Sequence, residues 1–168
     1  AIAYSDYTNR YVKTATVSGT TATLTGQSYN IGTGWQVGIT DIAFDSYNNK
    51  IILSTLLSYV DVIVGDISGS SITFGSSVVV YSTAGNTSNP RIACDGSGRL
   101  AVAFARSGGK ATLATGIISG NSVTSVTTHN GNFDVKSGDY IDITFSNKYN
   151  KFFIGYSNQT YRNMVSAY

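Results

Sequence analysis

Short apolar stretches alternate with polar turns along the whole chain, and the same order of stretches returns about every 50 residues. Val17-Ser18-Gly19 recurs as Ile67-Ser68-Gly69 and as Ile118-Ser119-Gly120, so the three serines lie 50 and 51 residues apart. A fixed period of this length is typical of repeat architectures, in which each repeat is one supersecondary unit.

A second pattern has the same period. A short apolar stretch, a polar turn, a basic residue and another apolar run follow one another at 41–53, 91–102 and 142–154. The first residues of the chain, Ile2-Ala3-Tyr4, match this second apolar run. Two independent patterns in register indicate a true internal repeat.

Each period contains four strand signals. In the second repeat they cover Ile39–Phe44, Ile51–Leu57, Val60–Ile67 and Ser71–Tyr81. β-Branched and aromatic residues dominate these segments, and Gly, Asn, Asp and Ser fill the gaps between them. The Ser-Gly pairs suit a tight hairpin between strands three and four, because Gly accepts positive φ. No segment combines a sustained 3.6-residue period with helix caps, so we predict an all-β chain.

Four antiparallel strands in each repeat of about 50 residues predict the blade of a β-propeller. Stacked blades cover both faces of each sheet. This explains the continuous apolar runs Ile51-Ile52-Leu53 and Val78-Val79-Val80, where a half-exposed sheet would alternate. A β-solenoid is the alternative, although its coils are usually shorter, about 20–30 residues.

We predict one repeat domain over residues 1–168, made of a partial blade (1–37), two complete blades (38–87 and 88–137) and another partial blade (138–168). This is about three and a half blades, whereas closed propellers have about 4–8. An open arc would leave apolar faces and strand edges exposed. We therefore expect either a longer parent chain or several copies that close the ring. The longer chain is favoured, because both partial blades contain strands two and three.

Composition excludes several classes of partner. Only 12% of the 168 residues are charged, and the formal net charge is +2 without a basic run, which predicts no nucleic-acid partner. No apolar run approaches the ~20 residues of a membrane helix, so we expect no membrane insertion. The single cysteine, Cys94, excludes a cysteine-based zinc site. We expect neither a metal nor a cofactor.

Catalytic groups are scarce. The single histidine, His129, is predicted to be a solvated turn residue at the end of a fourth strand. Glu is absent, and the aspartates that could pair for glycoside hydrolysis lie at strand ends beside Asn, Gly or Ser, where turn formation is the simpler role. The pairs are Asp41 and Asp45, Asp61 and Asp66, and Asp139 and Asp142. Asp95-Gly96-Ser97-Gly98 is similar to part of a calcium loop but lacks the further oxygen ligands. We predict that the chain is not an enzyme.

The repeats resemble those of bacteriophage tail-fibre and virion-appendage proteins, many of them from marine phages. The segments that carry the resemblance are Ile2-Ala3-Tyr4-Ser5-Asp6 with Thr14–Gly19, and Ser68–Ser76 with Val78-Val79-Val80. The resemblance covers the whole chain. It implies propeller blades, a virion or extracellular location, and a structural or receptor-binding role. The implied partners are other virion proteins and a host-surface glycan or receptor. Ser54-Thr55-Leu56-Leu57 and Phe104-Ala105-Arg106 depart from the aromatic and acidic pair of the first repeat, so a binding role shared by all blades does not follow.

In a propeller, the loops between strands two and three and those between successive blades lie on one face, and we predict ligand binding there. Aromatic and hydrogen-bonding side chains suit sugar and protein surfaces. The candidate ligand-binding residues are Tyr7, Asn9, Arg10, Trp35, Arg106, Tyr161 and Arg162. Trp35 could instead fill a blade interface, and Tyr7 and Tyr161 could be solvated strand-end residues. Cys94 replaces Phe44 and Phe145 at its phase, which predicts a small buried hydrophobe.

The leading hypothesis is a non-catalytic structural or adhesive propeller segment of a phage virion appendage that binds a receptor or glycan. A secreted propeller lectin that binds carbohydrate is the second hypothesis. The third is a non-catalytic part of a larger propeller enzyme. A lectin would repeat the same polar residues in the binding loops of every blade. Those loops differ here, which favours a scaffold or a single-site binder.

Overall fold

Strands and tight turns make up the regular structure of this protein. The computed structural model describes residues 1–5, 9–33, 39–56, 59–82, 88–106, 110–134, 140–157 and 162–167. Within these ranges there is no helix, and every strand pairing is antiparallel. The predicted all-β class is therefore confirmed.

The strands form four sheets that follow one another along the chain. Sheet 1 contains β1 (Ile2–Ser5), β2 (Asn9–Ser18) and β3 (Thr21–Thr33). Sheet 2 contains β4 (Ile39–Asp45), β5 (Lys50–Leu56), β6 (Val60–Ser68), β7 (Ser71–Phe74) and β8 (Val78–Tyr81). Sheet 3 contains β9 (Ser88–Cys94), β10 (Arg99–Arg106), β11 (Lys110–Ser119) and β12 (Ser122–Asp134). Sheet 4 contains β13 (Ile141–Ser146), β14 (Lys151–Ser157) and β15 (Arg162–Ala167).

The Ser-Gly pairs form the predicted hairpins. Gly19, Gly69 and Gly120 each open a two-residue loop, with φ of 58°, 60° and 56°. A left-handed φ is costly for residues with a Cβ, which explains why glycine recurs at this point of the repeat.

The last strand of sheet 2 differs from its prediction. The sequence predicts one strand over Ser71–Tyr81, but β7 and β8 are separate and both pair with β6. Gly75 lies between them, and its N–H donates to the Val64 carbonyl. A Cβ on Gly75 would collide with the backbone carbonyl of Asn121 in sheet 3. The strand is therefore interrupted where the backbone of the next sheet comes close.

An apolar core lies between each pair of consecutive sheets. Between sheets 1 and 2, Val12 packs with Ile51, Leu53, Ile63 and Ile72. Between sheets 2 and 3, the core is formed by Ile52, Val60, Val62, Val64, Val80, Ile92, Leu100, Val102, Phe104, Ala114, Ile118 and Val123. Between sheets 3 and 4, it is formed by Ala93, Ala101, Ala103, Ala105, Ala111, Leu113, Ile141, Ile143, Phe152 and Ile154.

The continuous apolar runs follow from this stacking. Ile51 and Leu53 of β5 pack towards sheet 1, whereas Ile52 between them packs towards sheet 3. Since successive side chains of a strand point to opposite faces, a sheet with neighbours on both sides needs apolar residues at every position. We call the face turned to the next sheet along the chain the forward face, and the opposite one the rear face.

Candidate functional site

The strands of each sheet share a common end, as sheet 1 shows. In sheet 1, Ser5 pairs with Arg10 and Asn9 pairs with Thr33, so β1, β2 and β3 have these ends in common. The segments between strands two and three and between successive sheets therefore start from this end, which we call the loop end. Their residues 6–8, 34–38, 57–58, 83–87, 107–109, 135–139 and 158–161 lie outside the described structure.

Only some of the predicted ligand-binding residues belong to the described part of the chain. Tyr7, Trp35 and Tyr161 lie outside the described residues. Arg106 is half-buried at the end of β10. Asn9 accepts a hydrogen bond from the side-chain amide of Asn30 at 3.0 Å, so it is part of the sheet 1 framework.

Arg162 begins β15 and pairs with Ser157, as Arg10 pairs with Ser5 in sheet 1. The repeat thus places an arginine at the same register position in the first and last sheets. The side chain of Arg162 lies outside the described structure.

The prediction that Arg10 lies on the exposed loop face is wrong. Its exposed fraction is only 5%, because it lies between sheets 1 and 2. Burial lowers the pKa of the guanidinium, and the charge of Asp61 acts in the opposite direction. Among the described residues, Arg10 Nη1 has no hydrogen-bond partner.

Two further residues complete this group: Asp61, which the sequence predicted in a turn, and Thr55, which it did not predict as a binding residue. They are register partners on β6 and β5, and their exposed fractions are 3% and 0%. Burial raises the pKa of Asp61, and the nearby charge of Arg10 partly offsets that effect. Thr55 Oγ1 has no hydrogen-bond partner in the described part of the chain.

The three side chains offer a mixed set of donors and acceptors. An arginine N–H is a donor, a carboxylate is an acceptor, and a threonine hydroxyl can act as either. A buried polar atom without a partner costs about 1–3 kcal/mol, and two such atoms, on Arg10 and Thr55, belong to this group. An anion would be repelled by Asp61 and a cation by Arg10. The group therefore combines two opposite charges with a hydroxyl, and all three side chains are buried between sheets 1 and 2.

The other buried carboxylates hold the framework together. Asp45 accepts from the N–H of Tyr47 and from the amide of Asn48, and Asp95 accepts from Ser97 and Arg99 through both backbone and side chain. The predicted turn role is thus correct for Asp45, and Asp95 has a similar role in the next turn of this kind.

Turn formation is wrong for four other aspartates, which lie within strands: Asp41, Asp61, Asp66 and Asp142. Asp41 Oδ2 accepts the backbone N–H of Ile92 at 3.0 Å, which joins sheet 2 to sheet 3. Asp61 lies inside β6. Asp66 forms an ion pair with Lys50 at 3.1 Å, and Asp139 lies outside the described residues.

His129 differs from its prediction, whereas Cys94 packs on an apolar core as predicted, although it is only half-buried. His129 lies within β12, half-buried and 3.2 Å from Thr115 Oγ1, and not in a turn. Cys94 is a free cysteine that is half-buried against the core between sheets 2 and 3. Burial, together with the charges of Asp45 and Asp95, raises the pKa of its thiol to about 12. The thiolate that a nucleophile needs is therefore scarce at neutral pH.

A groove of about 580 Å³ lies between β4, β9 and β13, the first strands of sheets 2, 3 and 4. Phe44, Cys94 and Phe145 line it together with turn residues, and Phe44 is 54% exposed. The charged residue in its lining, Asp95, is already engaged by Ser97 and Arg99. The groove therefore offers a surface but no acid–base pair.

Within the described ranges, no three His, Cys, Asp or Glu side chains are grouped so that they could hold a metal ion. The same part of the chain has no helix long and apolar enough to span a membrane. Comparisons of the chain with family models, with curated proteins and with solved structures found no match.

Proposed function

We propose that the four sheets are successive blades of a β-propeller that is a non-catalytic, structural or adhesive segment of a phage virion appendage. In this proposal the loop end binds a host-surface receptor through a carbohydrate group. The order of the cores supports this fold, because sheets 1, 2 and 3 each pack their forward face on the rear face of the next sheet. The first strands β4, β9 and β13 also contact one another in sequence, as strands around a common axis do.

The observation that carries the recognition role is the group formed by Arg10, Asp61 and Thr55. It is placed where β2, β5 and β6 have their loop ends, and it leaves two buried polar atoms without a partner in the described structure. The hydroxyls of a sugar both donate and accept hydrogen bonds, so they could satisfy the arginine, the carboxylate and the threonine together. Val60 occupies the position of Arg10 in sheet 2, so the group is not repeated between sheets 2 and 3.

The test is a glycan array with the complete chain and three variants. Thr55→Val removes the unpartnered hydroxyl at similar volume, and its matched control is Thr112→Val, which removes another fully buried, unpartnered hydroxyl far from Arg10. We expect saturable binding by the wild type, a loss of about tenfold or more in Thr55→Val, and unchanged binding in Thr112→Val. Trp35→Ala tests the predicted aromatic contact and should also weaken binding.

Two results would overturn the recognition role. One is the absence of saturable binding to any glycan by the wild-type chain. The other is an equal effect of Thr55→Val and Thr112→Val, which would show that the hydroxyl of Thr55 has no special part in binding. Far-UV circular dichroism and thermal unfolding of each variant separate a loss of binding from a loss of fold.

A further inference from the structure

The groove of about 580 Å³ between β4, β9 and β13 lies at the end of these strands that is opposite to the loop end. It is formed by sheets 2, 3 and 4, beside the turns that lead into β5, β10 and β14. Among the described residues that line it, none is Lys, Arg or His, and the one charged residue is Asp95. The lining therefore supplies no positive charge that would attract an anion.

Free strand edges face this groove. In the described structure, β4, β9 and β13 are each the end strand of their sheet. The N–H groups of Ile42 and Ile92 are outside the ladders, because both donate to the carboxylate of Asp41. The N–H of Ile143 likewise donates to Asp142.

The carbonyl oxygens at positions 44, 94 and 145 belong to the same free edges. Alternate residues of an antiparallel strand direct their backbone groups to one edge, and these positions are two residues beyond Ile42, Ile92 and Ile143. All three positions line the groove. The groove thus offers backbone oxygens from three consecutive sheets as hydrogen-bond acceptors.

Two aromatic rings and one small residue share a position of the repeat in this lining. Phe44 is 54% exposed, and Phe145 is half-buried, with its ring centroid 4.9 Å from that of Phe152. Sheet 3 has Cys94 at this position, which is smaller than Phe and leaves room beside β9. Aromatic faces attract cations, ammonium groups among them.

Nearby carboxylates make the potential at the groove negative. Burial raises the pKa of the Cys94 thiol, and the charges of Asp45 and Asp95 add to that effect. Arg99 pairs with Asp95, whereas the hydrogen bonds that the described structure gives Asp45 come from neutral N–H donors. A negative potential of this kind repels an anion and attracts a cation.

We propose that this groove binds a small organic cation through a primary ammonium group. The ammonium has three N–H donors and no acceptor, which matches the carbonyl oxygens of the free edges, and the rings of Phe44 and Phe145 contact its charge and alkyl part. A volume of about 580 Å³ exceeds what a metal ion needs, and the described residues contain no group of three metal ligands. This inference does not depend on receptor binding at the loop end.

The first experiment is isothermal titration calorimetry of the complete chain with pentylammonium chloride as the probe. Pentan-1-ol and sodium pentanoate, titrated at the same ionic strength, have the same chain length without the positive charge. We expect saturable binding of pentylammonium and about tenfold or more weaker binding of the other two compounds. The absence of saturable pentylammonium binding, or equal binding of the alcohol, would overturn the inference.

The second experiment repeats the titration with Phe44→Leu, which removes an aromatic ring but keeps an apolar side chain. Its matched control is Tyr149→Leu, because Tyr149 is a similarly exposed aromatic residue (59%) in a turn and does not line the groove. We expect about three- to tenfold weaker binding in Phe44→Leu and unchanged binding in Tyr149→Leu. Equal affinities of these two variants would contradict the role of the ring.

The third experiment places a competing ammonium in the groove. Asn147 is exposed and lines the groove, so the side chain of Asn147→Lys should occupy the site and weaken pentylammonium binding about tenfold or more. Tyr149→Lys adds the same charge outside the lining and should have little effect. An equal loss in both variants would show a general effect of charge and would overturn the inference. Thermal unfolding of each variant checks that the fold is kept.

The glycan array reports independently on the proposed function. A chain that binds glycan but no pentylammonium contradicts only the ammonium site, and a chain that binds pentylammonium but no glycan contradicts only the recognition role.

Discussion

At the scale of single residues, four of the described aspartates accept hydrogen bonds from backbone N–H groups: Asp41, Asp45, Asp95 and Asp142. Asp95 shows the balance of forces most clearly. Its burial by itself would raise the pKa, but the hydrogen bonds from Ser97 and Arg99 outweigh that effect and lower the pKa. The carboxylate is therefore held charged inside the turn between β9 and β10.

We expect Asp95→Asn to destabilise the protein by about 1–3 kcal/mol at neutral pH, because it weakens several charge-assisted hydrogen bonds. A carboxylate whose folded-state pKa is lowered stabilises the fold fully above its unfolded pKa of about 3.9. That contribution is lost as the pH falls from there through the folded-state pKa. Urea unfolding should therefore show a difference between variant and wild type that shrinks as the pH falls below about 4.

Asp66→Asn is the control for this measurement. The Asp66 side chain is 50% exposed and pairs with Lys50, so its loss should cost less than about 1 kcal/mol. A loss in Asp66→Asn equal to that in Asp95→Asn would contradict the role assigned to the turn.

At the scale of strands, the space beside a glycine is filled by neighbouring side chains at one position and open at another. A Cβ on Gly65 in β6 would lie 2.7–2.8 Å from atoms of Ile51, Ile72 and Phe74. Gly155 in β14 has no such neighbour within 4 Å among the described residues. A side chain would therefore clash at Gly65 but have room at Gly155.

We expect Gly65→Ala to destabilise the protein by about 1–3 kcal/mol through overpacking, whereas Gly155→Ala should be neutral or stabilising by up to about 1 kcal/mol. Thermal unfolding of the two variants beside the wild type measures both effects. Equal stability of the two variants would show that the space beside Gly65 is not filled as described.

At the scale of the whole molecule, stability is distributed over three cores, each shared by two consecutive sheets. An arrangement in which units contact only their neighbours behaves approximately as a one-dimensional chain of coupled units. A defect in one core should therefore weaken the sheets beside it more than distant ones.

Leu53→Ala is expected to cost about 2–5 kcal/mol, because Leu53 is fully buried between sheets 1 and 2. Native-state hydrogen exchange should show the largest acceleration in sheets 1 and 2. Phe152→Ala, in the core between sheets 3 and 4, should give the reverse pattern. Uniform acceleration over all four sheets in both variants would contradict nearest-neighbour coupling.

Sequence reasoning succeeded for features that repeat along the chain. The period near 50 residues, the glycines of the hairpins and the apolar runs reflect local conformational preference and burial on both faces of a sheet, so residues close in sequence carry these signals. It failed for Arg10, predicted on the loop face, and for Asp61, predicted in a turn. Their burial depends on which side chain of the adjacent sheet lies opposite, and the 50 residues between them give no local signal of that contact.

By itself the amino-acid sequence determined the all-β class, the repeat and the places of the hairpins, because backbone preference and hydrophobic periodicity act over short distances. Only the tertiary structure decided which groups meet across the sheets: Arg10 beside Asp61, Asp41 on the backbone of Ile92, and Gly75 beneath Asn121. These contacts depend on how whole sheets pack against one another, and a pattern within one repeat does not encode that arrangement.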